Sequence, residues 1–133
     1  MKKRNGTYLL FMTFPVTFRA DIGSLGTLTM ERGEYCYVGS AMNGLDQRIR
    51  RHLSSDKRMR WHIDRLTVCA EEKHAYISET IPECVLAEMA VQSGCIPVHK
   101  GFGCSDCGCR THLFMVSGTS KRELLNISSA APF

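Results

Sequence analysis

The sequence predicts an α/β protein, a small mixed β-sheet flanked by helices, and three observations carry this. Runs rich in β-branched and aromatic residues recur at 7–14, 27–30, 34–40 and 68–78, several of them bounded by glycine or proline. Leu45, Ile49 and Leu53 repeat every four residues, the spacing of one face of a helix. A further apolar stretch, from Pro82 to Gln92, is too long for an average strand and stops before Gly94. With 133 residues, 44% of them apolar, the chain has material for one buried core and not for two.

Taken in order, Thr7–Phe14 reads as a strand that Pro15 breaks, with Phe18–Ile22 an extended continuation. Thr27–Met30 and Glu34–Ser40 follow, and Glu31-Arg32-Gly33 between them has the composition of a hairpin turn, glycine supplying the positive φ. Leu45–Leu53 is the amphipathic helix, and Trp61–Leu66 a second, shorter one. Val68–Ser78 reads as a strand, with Ala75-Tyr76-Ile77 its strongest part. Thr80 is the expected N-cap of the next helix, with Pro82 in its first turn. A glycine- and cysteine-rich loop, Gly101–Thr111, then leads into a strand at His112–Val116. The expected organisation is one domain over 1–117, loop included, and a polar, weakly patterned, partly disordered tail over 118–133.

A net charge of +4 suits a polyanionic partner, and the distribution sharpens this. Arg48, Arg50, Arg51, Lys57, Arg58, Arg60 and Arg65 crowd into one short stretch, enough to neutralise several phosphates; the alternative is a solvated helix face. The opening MKKRNGTYLLFMTFPVTF imitates a secretory signal, yet its apolar run holds Thr13, Pro15 and Thr17 and ends in Arg19, not in a small-residue cleavage site. No run approaches the roughly 18 apolar residues of a membrane-spanning helix, so no membrane partner is expected. Seven cysteines, an odd number beside a full-sized apolar core, fit a reduced cytoplasmic setting better than a disulfide scaffold. Cys36, Cys69, Cys84 and Cys95 lie in apolar neighbourhoods and read as small buried hydrophobes.

The most informative stretch is Tyr35–His52, YCYVGSAMNGLDQRIRRH. Tyr37-Val38-Gly39 runs through a small-residue turn into the first helix, where Arg48 and His52 lie four residues apart on one face. Upstream, Gly6-Thr7-Tyr8 opens the first strand. The ordered set of GTY, YVG, LDQR and RRH resembles the signature of the GIY-YIG nuclease superfamily, over roughly Gly6 to Gln92. The 28 residues between Tyr8 and Tyr37 exceed that family's usual gap, which implies an inserted hairpin. The resemblance further implies that Tyr8 and Tyr37 orient or deprotonate a water. It gives Arg48 to the phosphate, His52 to auxiliary proton transfer or a phosphate contact, and Glu83 to a catalytic Mg2+ or Mn2+ ion. Phosphodiester hydrolysis needs these functions: an activated water, cationic stabilisation of developing charge and a carboxylate-held metal. Glu83 and Glu88 lie about 140° apart around a helix, so only one of them faces the site; the family's placement favours Glu83. The alternative for Glu83 is a carboxylate that complements the helix dipole.

The loop holds Cys104, Cys107, Cys109 and His112 in a C-x2-C-x-C-x2-H spacing. Thiolates and imidazole at such intervals suit tetrahedral Zn2+. Reversible disulfide chemistry at the C-x-x-C pair is a second reading, and a tight loop packed on the sheet a third. A branch of the same superfamily, sometimes fused to glycosylases of the endonuclease III type, is similar in Trp61-His62-Ile63-Asp64 and in the Gly-Phe-Gly-x-Ser-Asp-Cys-x-Cys loop. That resemblance implies Cys107, Cys109 and His112 as the core of the set, Cys104 as an addition and His62 as a fourth ligand.

The expected function is therefore a metal-dependent nuclease-like domain in DNA processing or repair, with DNA favoured over RNA and a repair enzyme as a partner. The alternatives are a nucleic-acid-binding accessory domain without cleavage, and a zinc- or redox-responsive protein run by the cysteine loop.

Overall fold

The computed structural model describes residues 4–41, 43–54, 63–103 and 109–133. Its centre is strand β1, Gly6–Phe14, whose residues are buried almost without interruption. A continuous apolar run of this kind belongs to a strand covered on both faces, and both of its edges are paired as well. On one side lies β4, Gly33–Ala41, and on the other β5, Glu72–Ser78. Beyond β4 come β7, Leu113–Val116, and β6, Ile96–Pro97; beyond β5 comes β8, Ala131–Pro132. The six strands run in the order β6-β7-β4-β1-β5-β8, and the pairings among the described residues are antiparallel. The α/β class expected from sequence is thus what the chain adopts, with an antiparallel sheet in place of one of mixed direction.

Alternation along β1 divides the core in two. Tyr8, Leu10, Met12 and Phe14 face helix α1, Leu45–Leu53, through its Leu45 and Ile49, together with Ile63 and Leu66 around the short helix α2, Asp64–Thr67. Leu9 and Phe11 face helix α3, Glu83–Gln92, through Leu86, Ala87 and Ala90, and helix α4, Gly118–Ser128, through Leu124.

Four expectations are corrected. The run at Thr27–Met30, β3, pairs with β2, Phe18–Asp21, so the inserted hairpin is β2–β3 and not a hairpin around Glu31-Arg32-Gly33. Both edges of β4 are already taken by β1 and β7, which leaves β3 no place beside it. Gly33, at φ 138°, re-aims the chain into β4 instead. Thr80 does not cap α3: Pro82 occupies the cap position without a side-chain acceptor, and the Ser78 hydroxyl accepts from the Ile81 amide at 3.0 Å. The strand expected from Val68 begins at Glu72, because Cys69 and Ala70 are drawn into the turns that close α2.

Residues 118–132, read as a polar tail, form α4 and the edge strand β8. A reciprocal cap starts the helix: Ser117 Oγ accepts from the Ser120 amide at 3.1 Å, and Ser120 Oγ from the Ser117 amide at 2.8 Å. Leu124 anchors the helix in the core, and Lys121 reaches Glu34 at 2.7 Å.

Candidate functional site

The site grows from the register of β1 on β4, which sets Tyr8 opposite Gly39 and Thr7 opposite Ser40. The Tyr8 ring lies across Gly39, and a β-carbon there would run into the ring and hydroxyl. The glycine of the YVG motif is therefore a matter of space. Tyr8 Oη reaches His52 Nε2 at 2.6 Å, and the rings of Tyr8 and His52 both lie 6.3 Å from that of Tyr37. Phe102, from the start of the cysteine-rich loop, closes over Tyr37 edge-on at 5.9 Å.

Helix α1 presents Arg48 and His52 to these rings. Its start is fixed by the Arg4 carbonyl, which accepts from the Gly44 and Leu45 amides, and by the Arg4 guanidinium, which grips Asp46 at 2.8 Å. Arg48 Nη1 donates to the Ser40 carbonyl at 2.7 Å, and the guanidinium lies close enough to Tyr8 for its charge to act on the phenol. Tyr8 and His52 are 2% and 1% exposed, so their contact is dry. Burial, reinforced by the neighbouring Tyr37, pushes the Tyr8 phenol well above its ordinary range and keeps it protonated at neutral pH. Tyr37 and Arg48 are only half-buried.

Glu83 comes from the other face of the sheet, as the first residue of α3. Its Oε2 stands 3.0 Å from His112 Nδ1, and the carboxylate also hydrogen-bonds Ser40. Burial pushes this carboxyl up, but the hydrogen bonds from His112 and Ser40 and the charges of His112 and Arg48 outweigh it and hold it below the usual range. Glu83 is therefore ionised at neutral pH. Ser40 is the crossing point: its carbonyl takes Arg48 and its side chain takes Glu83. The result is a connected path, His52–Tyr8–Arg48–Ser40–Glu83–His112, around one end of the sheet.

The path brings together Tyr8, Arg48, His52 and Glu83, with the Tyr37 ring tilted against Tyr8 and edge-on to His52. Glu83 and Ser40 line an open cleft of about 380 Å³ with Thr7, Thr80 and Pro82. Glu88 lines a different cleft, together with Cys84, Ala87 and Cys109. Of the basic run, Arg50 is exposed, whereas Arg51 is committed to the fully buried Asp64 at 2.7 Å. Lys57, Arg58, Arg60 and His62 lie outside the described residues, as do Cys104 and Cys107.

The cysteines divide differently from the expectation. Cys36 and Cys95 are buried, but Cys69 and Cys84 are exposed. Cys84, on the first turn of α3, joins Cys109 and His112 in a group whose ligand atoms all lie within 4.8 Å of one another. Cys109 and His112 were legible as candidate ligands from their spacing. Cys84 was missed, and no spacing rule connects it to the loop.

A family model described as a domain of unknown function, DUF123, matches residues 7–131. The chain belongs to the DUF123 family. The match reaches every strand of the sheet, leaving out only Gly6 of β1 and Pro132 of β8, and includes α4. No curated protein and no solved structure matches the chain. Among the described residues, no helix of this DUF123 domain is long and apolar enough to cross a membrane.

Proposed function

We propose that the protein hydrolyses nucleic-acid phosphodiesters in the manner of the GIY-YIG nucleases, with DNA favoured over RNA and processing or repair as its setting. The observation that carries this reading is the connected path from His52 to Glu83. The residues assigned chemistry by resemblance, separated along the chain, fall on one end of one sheet. Arg48 neutralises the charge that builds on the phosphate. Tyr8, dry and protonated, holds His52 in place, so orienting the attacking water falls to the half-buried Tyr37. Glu83 is ionised, partly exposed and beside an open cleft, the donor chemistry that suits Mg2+ or Mn2+. Bound there, such an ion would offset negative charge on the phosphate oxygens and leaving group. Arg50, with the basic run that follows it, supplies salt-dependent attraction to the backbone. A second ion, Zn2+, belongs to the cysteine–histidine group in a structural capacity.

Cleavage of end-labelled linear and branched DNA, with RNA in parallel and Mg2+ or Mn2+ added, tests the reading. Arg48→Ala and Glu83→Gln are each expected to lower cleavage by about 10²–10³, while salt-dependent binding persists in Glu83→Gln. Tight salt-dependent binding without cleavage by the parent protein would move the assignment to an accessory binding domain. The 2% exposure of Tyr8 is the feature that favours that second reading.

A further inference from the structure

We infer that Cys84, Cys109 and His112 form a site for a thiolate-preferring tetrahedral metal ion, and that Glu83 is the outer partner that orients His112. The site itself stands on its own geometry; its effect on cleavage rests on the hydrolase reading above.

Three features carry the inference. The donors arrive from two separate segments, the first turn of α3 and the approach to β7, and still meet within 4.8 Å. Around a tetrahedral zinc with metal–sulfur distances of about 2.3 Å, neighbouring ligand atoms stand roughly 3.8 Å apart. Closing the group therefore asks at most about 1 Å per edge, within reach of side-chain rotation. Next, the donor set is two thiols and an imidazole without a carboxylate. It selects Zn2+ or another soft ion over Mg2+ or Ca2+.

The last feature is Glu83. A histidine that ligates a metal almost always gives its other ring nitrogen to a carboxylate or carbonyl, which fixes the tautomer and raises ligand basicity. Here Nδ1 of the fully buried His112 stands 3.0 Å from Glu83 Oε2, an ion-pair distance that a small ring rotation would align into a hydrogen bond, leaving Nε2 for the metal. Access is open, since Cys84 is exposed and both cysteines line a cleft of about 430 Å³ with Ala87, Val91 and Phe114. Metal binding at Cys109 and His112 would then be passed through His112 to the carboxylate at the other site. A carboxylate accepts from several donors at once, so Glu83 can serve His112 and still face its own cleft.

The test titrates the purified, reduced full chain with Co2+ alone and then with Zn2+. One equivalent of Co2+ should give thiolate-to-cobalt charge-transfer absorption and the intense visible bands of tetrahedral coordination. Zn2+, the tighter binder in the divalent series, should displace it. Cys84→Ser and Cys109→Ser should remove the charge-transfer bands or weaken binding at least tenfold, whereas Cys69→Ser, at an exposed cysteine outside the group, should leave both unchanged. Cys84→Ala repeats the test without a hydroxyl that could ligate in turn, and circular dichroism confirms that each variant is folded. Glu83→Gln should weaken Co2+ binding by about 10–100-fold, an outcome read without any cleavage assay. A weak octahedral spectrum, or Co2+ affinity indifferent to Cys84, overturns the site. So does a Cys84–Cys109 disulfide in mass spectra of protein kept under reductant. Tetrahedral binding indifferent to Glu83→Gln overturns the coupling.

Discussion

The two ends of the path are built in opposite ways. Beneath α1, polar groups are sealed: Tyr8 and His52 meet in a dry contact, and the buried Asp64 is held by Arg51. At the head of α3 they are open: Glu83 and Cys84 reach solvent beside clefts, with His112 buried behind them. Buried polar groups are costly unless satisfied, so the sealed side can only hold geometry. The open side can exchange ions and substrate. Ser40 joins the two, which lets a rigid half position a reactive one.

The largest effect that would break this contrast is on the sealed side. Arg51→Ala removes the charge partner that stands 2.7 Å from the fully buried Asp64 carboxylate, and should cost about 3–5 kcal/mol in urea unfolding. A loss under about 1 kcal/mol would show that Asp64 is solvated after all. Next comes a difference in rate. At neutral pH Cys84 and Cys69 should react with a thiol reagent about a hundredfold faster than Cys36 and Cys95. Cys36 and Cys95 are buried, and burial pushes their thiols up, away from the reactive thiolate. Zn2+ should protect Cys84 and not Cys69; equal protection of both would argue against the Cys84 site. Gly39→Ala should cost roughly 1–3 kcal/mol, because the Tyr8 ring or the β4 backbone must move. The smallest effect is that of Tyr8→Phe, which removes one hydrogen bond to a buried imidazole, about 1–2 kcal/mol. A neutral result there would mean that His52 finds a partner elsewhere.

The sealed side was legible in the sequence and the open side only half so. β1, β4 and α1 are written in short-range signals: continuous apolar runs, a glycine that a ring must cross and an apolar stripe at helical spacing. Tyr8, Tyr37, Arg48 and His52 sit on those elements, so their order along the chain already implied their convergence. Cys84 depends on where the head of α3 meets the entry to β7, a contact that no local pattern encodes. The β2–β3 pairing was misread for a related reason. Composition marked a turn at Gly33, but the occupancy of both edges of β4 is a property of the whole sheet. The segment after Ser117 looked like a tail because its cap uses two serines and few of its side chains, Leu124 chief among them, enter the core.

The most direct measurement is divalent-ion-dependent cleavage of a labelled branched DNA by the parent protein, Glu83→Gln, Arg48→Ala and Cys84→Ser, each folded to the same extent. The account predicts cleavage by the parent with Mg2+ or Mn2+, a loss of about 10²–10³ in Glu83→Gln and Arg48→Ala, and a smaller loss in Cys84→Ser. Cleavage that survives Glu83→Gln and Arg48→Ala at parental rates, or no cleavage by the parent on any DNA or RNA substrate, would contradict it.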